Sequence, residues 1–151
     1  MAGGRLLRAL NWLLLTLVVV AALVKIYMPL APGAFDKAVR ESLPVDAVTA
    51  IRTQQPAGPM FNSYNWGGYL VFRLWPDYLV FVDGRTDLFG DAFLREYVRV
   101  VVADDGWQAA LDRYGIRLVI VEADSVLAKF MRSSAGWQEI YRDHMAVVFT
   151  R

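Results

Sequence analysis

The longest apolar stretch of the chain, ALNWLLLTLVVVAALV over 9–24, is interrupted only by Asn11 and Thr16, and it runs on to Met28 if Lys25 reaches to an interface. It shows no polar stripe at helical spacing, so it does not read as the half-buried helix of a soluble core. At about 1.5 Å per residue, roughly twenty residues cross about 30 Å of hydrocarbon, and the segment predicts one membrane-spanning helix. A cleaved signal peptide would carry small residues just before its cleavage site. Here Pro29, Pro32 and Gly33 occupy that zone, and no Ala-x-Ala is present. Arg5 and Arg8 flank the short amino-terminal side, which the positive-inside tendency places in the cytoplasm. The expected partition is a cytoplasmic leader and transmembrane helix over 1–28, a juxtamembrane linker over 29–44 and an extracytoplasmic domain over 45–151, in a single-pass protein of the cell membrane.

The linker contains a short amphipathic piece over 35–43, and Pro44 opens a helix over 45–52, since a first-turn proline lacks only an N–H that would be unpaired anyway. Apolar spacing predicts further helices over 66–74, 93–102, 107–114 and 125–131, the first opened by Ser63 or Asn65. Residues 60–62 read as the end of a short strand. Residues 79–82 and 116–121 are apolar on consecutive positions, as in strands covered on both faces. Around Arg142-Asp143-His144, residues 137–141 and 145–149 alternate as an antiparallel hairpin does. This order predicts an α/β fold: the amino-terminal helix, then a small α/β sandwich whose mixed, mostly parallel sheet has four or five strands and an antiparallel carboxyl-terminal hairpin. Ligands of such sheets sit beyond the carboxyl ends of the parallel strands. Asn62 and Ser63, then Asp83, Gly84 and Arg85, then Glu122, Asp124 and Ser125 are expected to converge on that rim.

Composition sharpens this picture in three places. Hydrophobic residues make up 56% of the 151, above the roughly 45–50% of soluble domains, and the excess lies in the amino-terminal segment. Without Arg5, Arg8 and Lys25, 13 of the 16 basic residues face all 15 acidic ones, a balance of −2. No Lys/Arg cluster is left to bind nucleic acid. Cysteine is absent and His144 is the only histidine, which excludes disulfides, thiolate metal sites and a multi-histidine zinc site. His144 itself sits in a hairpin turn, a poor place for a catalytic base.

Special chemistry is densest over 60–90. Asp83 at a strand end followed by Gly84 suits a metal or a sugar hydroxyl, Arg85 suits a phosphate, and Asp87 offers a second carboxylate. The same residues equally form a loop tied together by Arg85, and this structural reading is favoured. The run is neither the D-x-D of nucleotide-sugar enzymes nor a phosphatase D-x-D-x-T. Asn62, Ser63, Asn65, Trp66, Gly67 and Gly68 have the makings of an anion cradle at a helix start, or of a tight turn whose glycines pack against the sheet. The turn is again favoured, with Gly68 as the position where a larger side chain would overpack. No Walker lysine and no G-x-G-x-x-G is present, so no cofactor is expected. Phe61, Tyr64, Trp66, Tyr69, Phe72, Trp75 and Tyr78 form an aromatic belt, mostly core, with Tyr64 and Trp66 the least suited to full burial.

The string FNSYNWGGYLVFRLWPDYLVFVDGRTDLFG, with the later WQAALDRYGIRLVIVE and a terminal W-x-x-x-Y-x-D, resembles the carboxyl-terminal extracytoplasmic domain of uncharacterised bacterial polytopic membrane proteins. Those proteins look like lipid-linked-sugar glycosyltransferases of the multi-spanning type, and the resemblance covers most of 44–149. It implies a detached tail domain, a subunit or a fragment of a longer protein, because this chain has one spanning helix and lacks the early loop that carries their catalytic carboxylate. The favoured function is therefore a membrane-anchored accessory domain without catalytic residues of its own. It would bind or orient a lipid-linked sugar or a partner membrane protein, with Glu122 joining the ligand-binding residues named above. The alternative is an enzyme acting on phosphate-linked or sugar substrates through Asp83, Arg85 and Asp87.

Overall fold

The computed structural model describes residues 3–30 and 33–151, so Met1, Ala2, Ala31 and Pro32 of the expected leader and linker lie outside the described residues. The chain divides into two compact units, the first ending at Glu41 and the second covering Ser42–Arg151. In the first, helix α1 occupies Gly3–Leu30. Within it Leu7–Met28, 22 residues with a mean hydropathy of 2.2, is long and apolar enough to cross a membrane. The hydroxyl of Thr16 donates to the Trp12 carbonyl one turn back at 2.8 Å, so this polar group inside the apolar run is satisfied within the helix. Helix α2, Ala34–Ser42, is amphipathic and bears an exposed Lys37–Glu41 pair at 3.8 Å.

The second unit is a mixed α/β structure on a four-stranded sheet. Its elements are α3 (Val45–Gln54), β1 (Met60–Asn62), α4 (Gly67–Leu74), α5 (Asp91–Val101), α6 (Trp107–Arg113), β2 (Leu118–Glu122), α7 (Val126–Ser133), β3 (Gln138–Arg142) and β4 (Ala146–Thr150). The spatial order is β1-β2-β4-β3. Period-two alternation sends Met60, Leu118, Ile120, Ala146 and Val148 to one face against α3 and α4, where they meet Ala47, Val48, Ile51, Leu70 and Leu74. Phe61, Val119, Val121, Val147 and Phe149 point to the other face against Val100, Trp107, Leu111, Leu127 and Met131. Helices thus cover both faces, and the central strands read as unbroken apolar runs for that reason. The hairpin turn is held by Asp143, whose carboxylate accepts from the Met145 and Ala146 N–H groups, each at 2.7 Å.

Two expectations are corrected. The sheet is not mostly parallel: β1 and β2 pair parallel, while β2–β4 and β4–β3 are antiparallel, because the hairpin returns between β2 and the edge. Residues 79–82 also form no strand. Leu79 is exposed and only Val82 is fully buried, so this run is not covered on both faces. It is fastened to the end of β1 by one side chain instead of a backbone ladder. The Asn62 amide oxygen accepts from the Phe81 and Val82 N–H groups at 2.7 and 3.3 Å, and its NH2 donates to the Val82 carbonyl at 2.8 Å.

Candidate binding cleft at the ends of β1 and β2

Because β1 and β2 run parallel, their carboxyl ends open on the same side, and the chain beyond each end turns into a helical segment. Ser63 continues β1 by donating its N–H to the Ile120 carbonyl at 3.0 Å, which brings its hydroxyl 2.5 Å from the Glu122 carboxylate at the end of β2. Ser125 caps α7: its hydroxyl accepts from the Ala128 N–H at 3.2 Å and donates to the Glu122 carbonyl at 2.7 Å. Tyr97 comes in from α5, and its phenolic oxygen accepts from the Tyr64 N–H at 2.8 Å. With Asn65, Val101, Val121 and Leu127 these residues enclose a cleft of about 120 Å³.

The cleft is lined by apolar Val101, Val121 and Leu127 and by polar Ser63, Asn65, Tyr97, Glu122 and Ser125. Burial pushes the Tyr97 phenol up to about 12, with the charge of Glu122 adding to the rise and the Tyr64 N–H opposing it. The lining therefore combines a neutral phenol, the Glu122 side chain to which the Ser63 hydroxyl donates, and the exposed Asn65 amide. Such a set suits the hydroxyls of a small polar group. The Ser63 hydroxyl is directed to a carboxylate and not to an imidazole, and His144 lies exposed in the hairpin turn. Among the described residues, no three Asp, Glu or His side chains gather in a way that could hold a metal ion.

Of the residues singled out in the sequence, Ser63, Asn65 and Glu122, with Ser125 of the expected rim and Tyr64 of the aromatic belt, line this cleft, whereas Asn62, Trp66, Gly67, Gly68, Asp83, Arg85 and Asp87 do not. Asn62 is fully buried and spends its amide on the 81–82 backbone and on the Ser63 carbonyl. Asp83 is 4% exposed and clasped by Arg85, whose Nη2 approaches to 2.6 Å and whose own N–H donates at 3.0 Å. The hydrogen-bonded Arg85 side chain holds the Asp83 carboxyl below the usual carboxylate range against the opposing pull of burial. Asp87 stands exposed on a 3-10 turn over Thr86–Leu88.

Three of the helix-start amides are also engaged. The Tyr64 N–H goes to Tyr97, the Trp66 N–H to the Ser63 carbonyl at 3.2 Å, and the Gly67 N–H to the Tyr64 carbonyl through a 3-10 turn over Tyr64–Trp66. Close packing occurs at Gly67, not at Gly68 as expected. A Cβ on Gly67 would lie 2.3 Å from the Val82 carbonyl oxygen, whereas one on Gly68 would meet nothing within 4 Å. Trp66 is buried, contrary to its expected partial exposure, because the 3-10 turn that precedes α4 sets it into the core beside Leu70, while Phe72 and Trp75 face outward.

Comparison of the chain with protein-family models, with curated proteins and with solved structures finds no match.

Tyr97 was not among the sequence candidates. The signal for it was the i, i+4 series Phe89, Phe93, Tyr97, which stacks with Phe81 and Phe61 at centroid separations of 4.8–5.4 Å along successive pairs. That aromatic column positions the phenol in the lining of the cleft, and of the residues in the sequence-defined belt only Phe61 belongs to it.

Proposed function

We propose that this chain is a membrane-anchored accessory domain that holds the sugar of a lipid-linked substrate for a glycosyltransferase-like membrane protein and performs no transfer itself. In this reading α1 spans the cell membrane, Arg5 and Arg8 lie on the cytoplasmic side, and the small α/β sandwich over 45–151 stands outside. The observation that carries it is the cleft at the ends of β1 and β2, where Ser63, Tyr97 and Glu122 set hydrogen-bonding groups of both kinds around a small volume. Asp83 and Arg85, the residues on which the enzyme alternative relies, do not line this cleft and are bonded to each other.

The test is calorimetric titration of the full chain in lipid nanodiscs with a polyprenyl-phosphate sugar. Saturable binding without release of sugar is expected. Glu122→Gln removes a charged acceptor and should weaken binding about tenfold or more. No binding, equal binding by the Gln variant, or turnover of the sugar would each defeat the proposal.

A further inference from the structure

Helix α4 buries Gly67, Leu70 and Leu74 against the sheet. Its outer side carries Val71, Phe72 and Trp75, and the turn that follows carries Leu79, with 36, 81, 65 and 67% of their surfaces exposed. The positions 68, 71, 72 and 75 follow helical spacing, so these side chains share one face with Gly68, which opens onto free space. An apolar face containing a Trp and a Phe is unusual on a water-facing helix, since each such ring carries about 150–250 Å² of surface. From Asn62 to Leu79 the charged residues are Arg73, whose guanidinium carbon lies 5.9 Å from the centre of the Tyr69 ring, and the exposed Asp77 in the turn. The helix itself carries no carboxylate, and the one in the turn is balanced by Arg73.

We propose that this face of α4, with the turn to Leu79, rests in the headgroup layer of the same bilayer that α1 anchors, an inference that depends on α1 spanning that bilayer. The tether decides the occupant. Residues 29–43 reach at most about 50 Å even when fully extended, so the domain that carries this face stays tethered to the lipid and its encounter with it is intramolecular. Trp and Phe on one side of a short helix, flanked by Arg, are the side chains that settle at a membrane interface. A weak interfacial surface of this kind needs a second anchor to hold it, and α1 is that anchor. Docking would fix which way the domain faces.

The chain contains no cysteine, so a single introduced one carries a unique spin label. Nitroxides are placed at Phe72→Cys, Trp75→Cys and Leu79→Cys, at Lys129→Cys as an exposed reference, and at Leu15→Cys within α1. The full chain is reconstituted in vesicles of phosphatidylethanolamine and phosphatidylglycerol. Collision with oxygen is compared with collision with a water-soluble nickel chelate, and near-ultraviolet circular dichroism confirms that each variant is folded. The labels at 72, 75 and 79 should show an oxygen-to-chelate ratio several-fold above that at 129, with the label at 15 higher still. A ratio at 72, 75 and 79 equal to that at 129, with 15 deep in the bilayer, overturns this inference and leaves the anchor standing. Chelate access at 15 overturns the anchor and this inference with it. Dipolar broadening at 72 that vanishes on dilution with unlabelled chain assigns the face to a second copy and also overturns it.

Discussion

A methyl group added at Gly67 is the most direct probe of how the segment after α4 is built into the fold. An ideal Cβ there would lie 2.3 Å from the Val82 carbonyl oxygen, 2.6 Å from the Asp83 Cα and 2.8 Å from the Asp83 Cβ. Two of these atoms are backbone, and none is the loose end of a flexible side chain. Relief requires the 82–83 backbone to withdraw by about 1 Å to reach ordinary van der Waals separation. That backbone is pinned by the Asn62 bonds to Val82 at 2.8 and 3.3 Å, which withdrawal would stretch. Overpacking of this kind costs about 1–3 kcal/mol, and a weakened buried hydrogen bond adds about 0.5–1.5 kcal/mol. Alanine's better helix propensity returns at most about 1 kcal/mol. Gly67→Ala should therefore destabilise the domain by about 0.5–4.5 kcal/mol, centred on about 2–3 kcal/mol, a fall in melting temperature of roughly 10–20 °C at that centre for a domain of this size. Gly68→Ala, one residue on, enters open space and should be neutral or stabilising by up to about 1 kcal/mol. Both are measured on the full chain in mild detergent by thermal melts in the near-ultraviolet. A Gly67→Ala protein that melts with the wild type, or a Gly68→Ala protein that falls as far as Gly67→Ala, would refute the packing account.

Asn62→Asp keeps the shape of the side chain but turns its donor toward the Ser63 and Val82 carbonyls into an acceptor, so urea unfolding should show a loss of at least about 2 kcal/mol. A loss under about 0.5 kcal/mol would mean that the 79–83 segment is held by something else. For Arg85→Ala the pH dependence is the informative readout. Asp83 titrates lower in the folded protein than in the unfolded chain, so its contribution is complete above the unfolded value of about 3.9 and disappears as pH falls through the lower folded value. The variant should melt below wild type at pH 6 and converge with it in strong acid, where both proteins carry a protonated Asp83; a gap that persists unchanged in acid would assign the effect to packing of the Arg85 side chain.

Which parts of this protein were readable from the chain follows from how far apart the causes lie. The apolar helix over 9–28, the helices from α3 to α7, strand β2 and the β3–β4 hairpin each rest on a local period or a local cap. Apolar residues at helical spacing, Ser125 before α7 and alternation about Asp143-His144 leave their marks within a few residues of the structure they specify. The strand β1 was also legible, though only three residues long, from its position before the Ser63 turn.

What failed depended on contacts distant in sequence. Residues 79–82 have the composition of a buried strand, but whether they pair was decided by Asn62, twenty residues earlier, whose amide occupies the backbone groups that a ladder would have used. The mixed character of the sheet was decided by β4, which pairs with β2 along five residues and so takes the place that a further parallel strand would need. Neighbouring glycines look alike in sequence, and only the approach of Val82 and Asp83 separates the one that must stay glycine from the one that need not. The same holds for the cleft. Ser63 and Glu122 stand 59 positions apart and meet because their strands are parallel neighbours, while Tyr97 joins them through an aromatic column that spans three elements. A chain writes its local periods on itself, but the pairing of distant groups is settled by the three-dimensional packing that satisfies the most buried polar atoms at once.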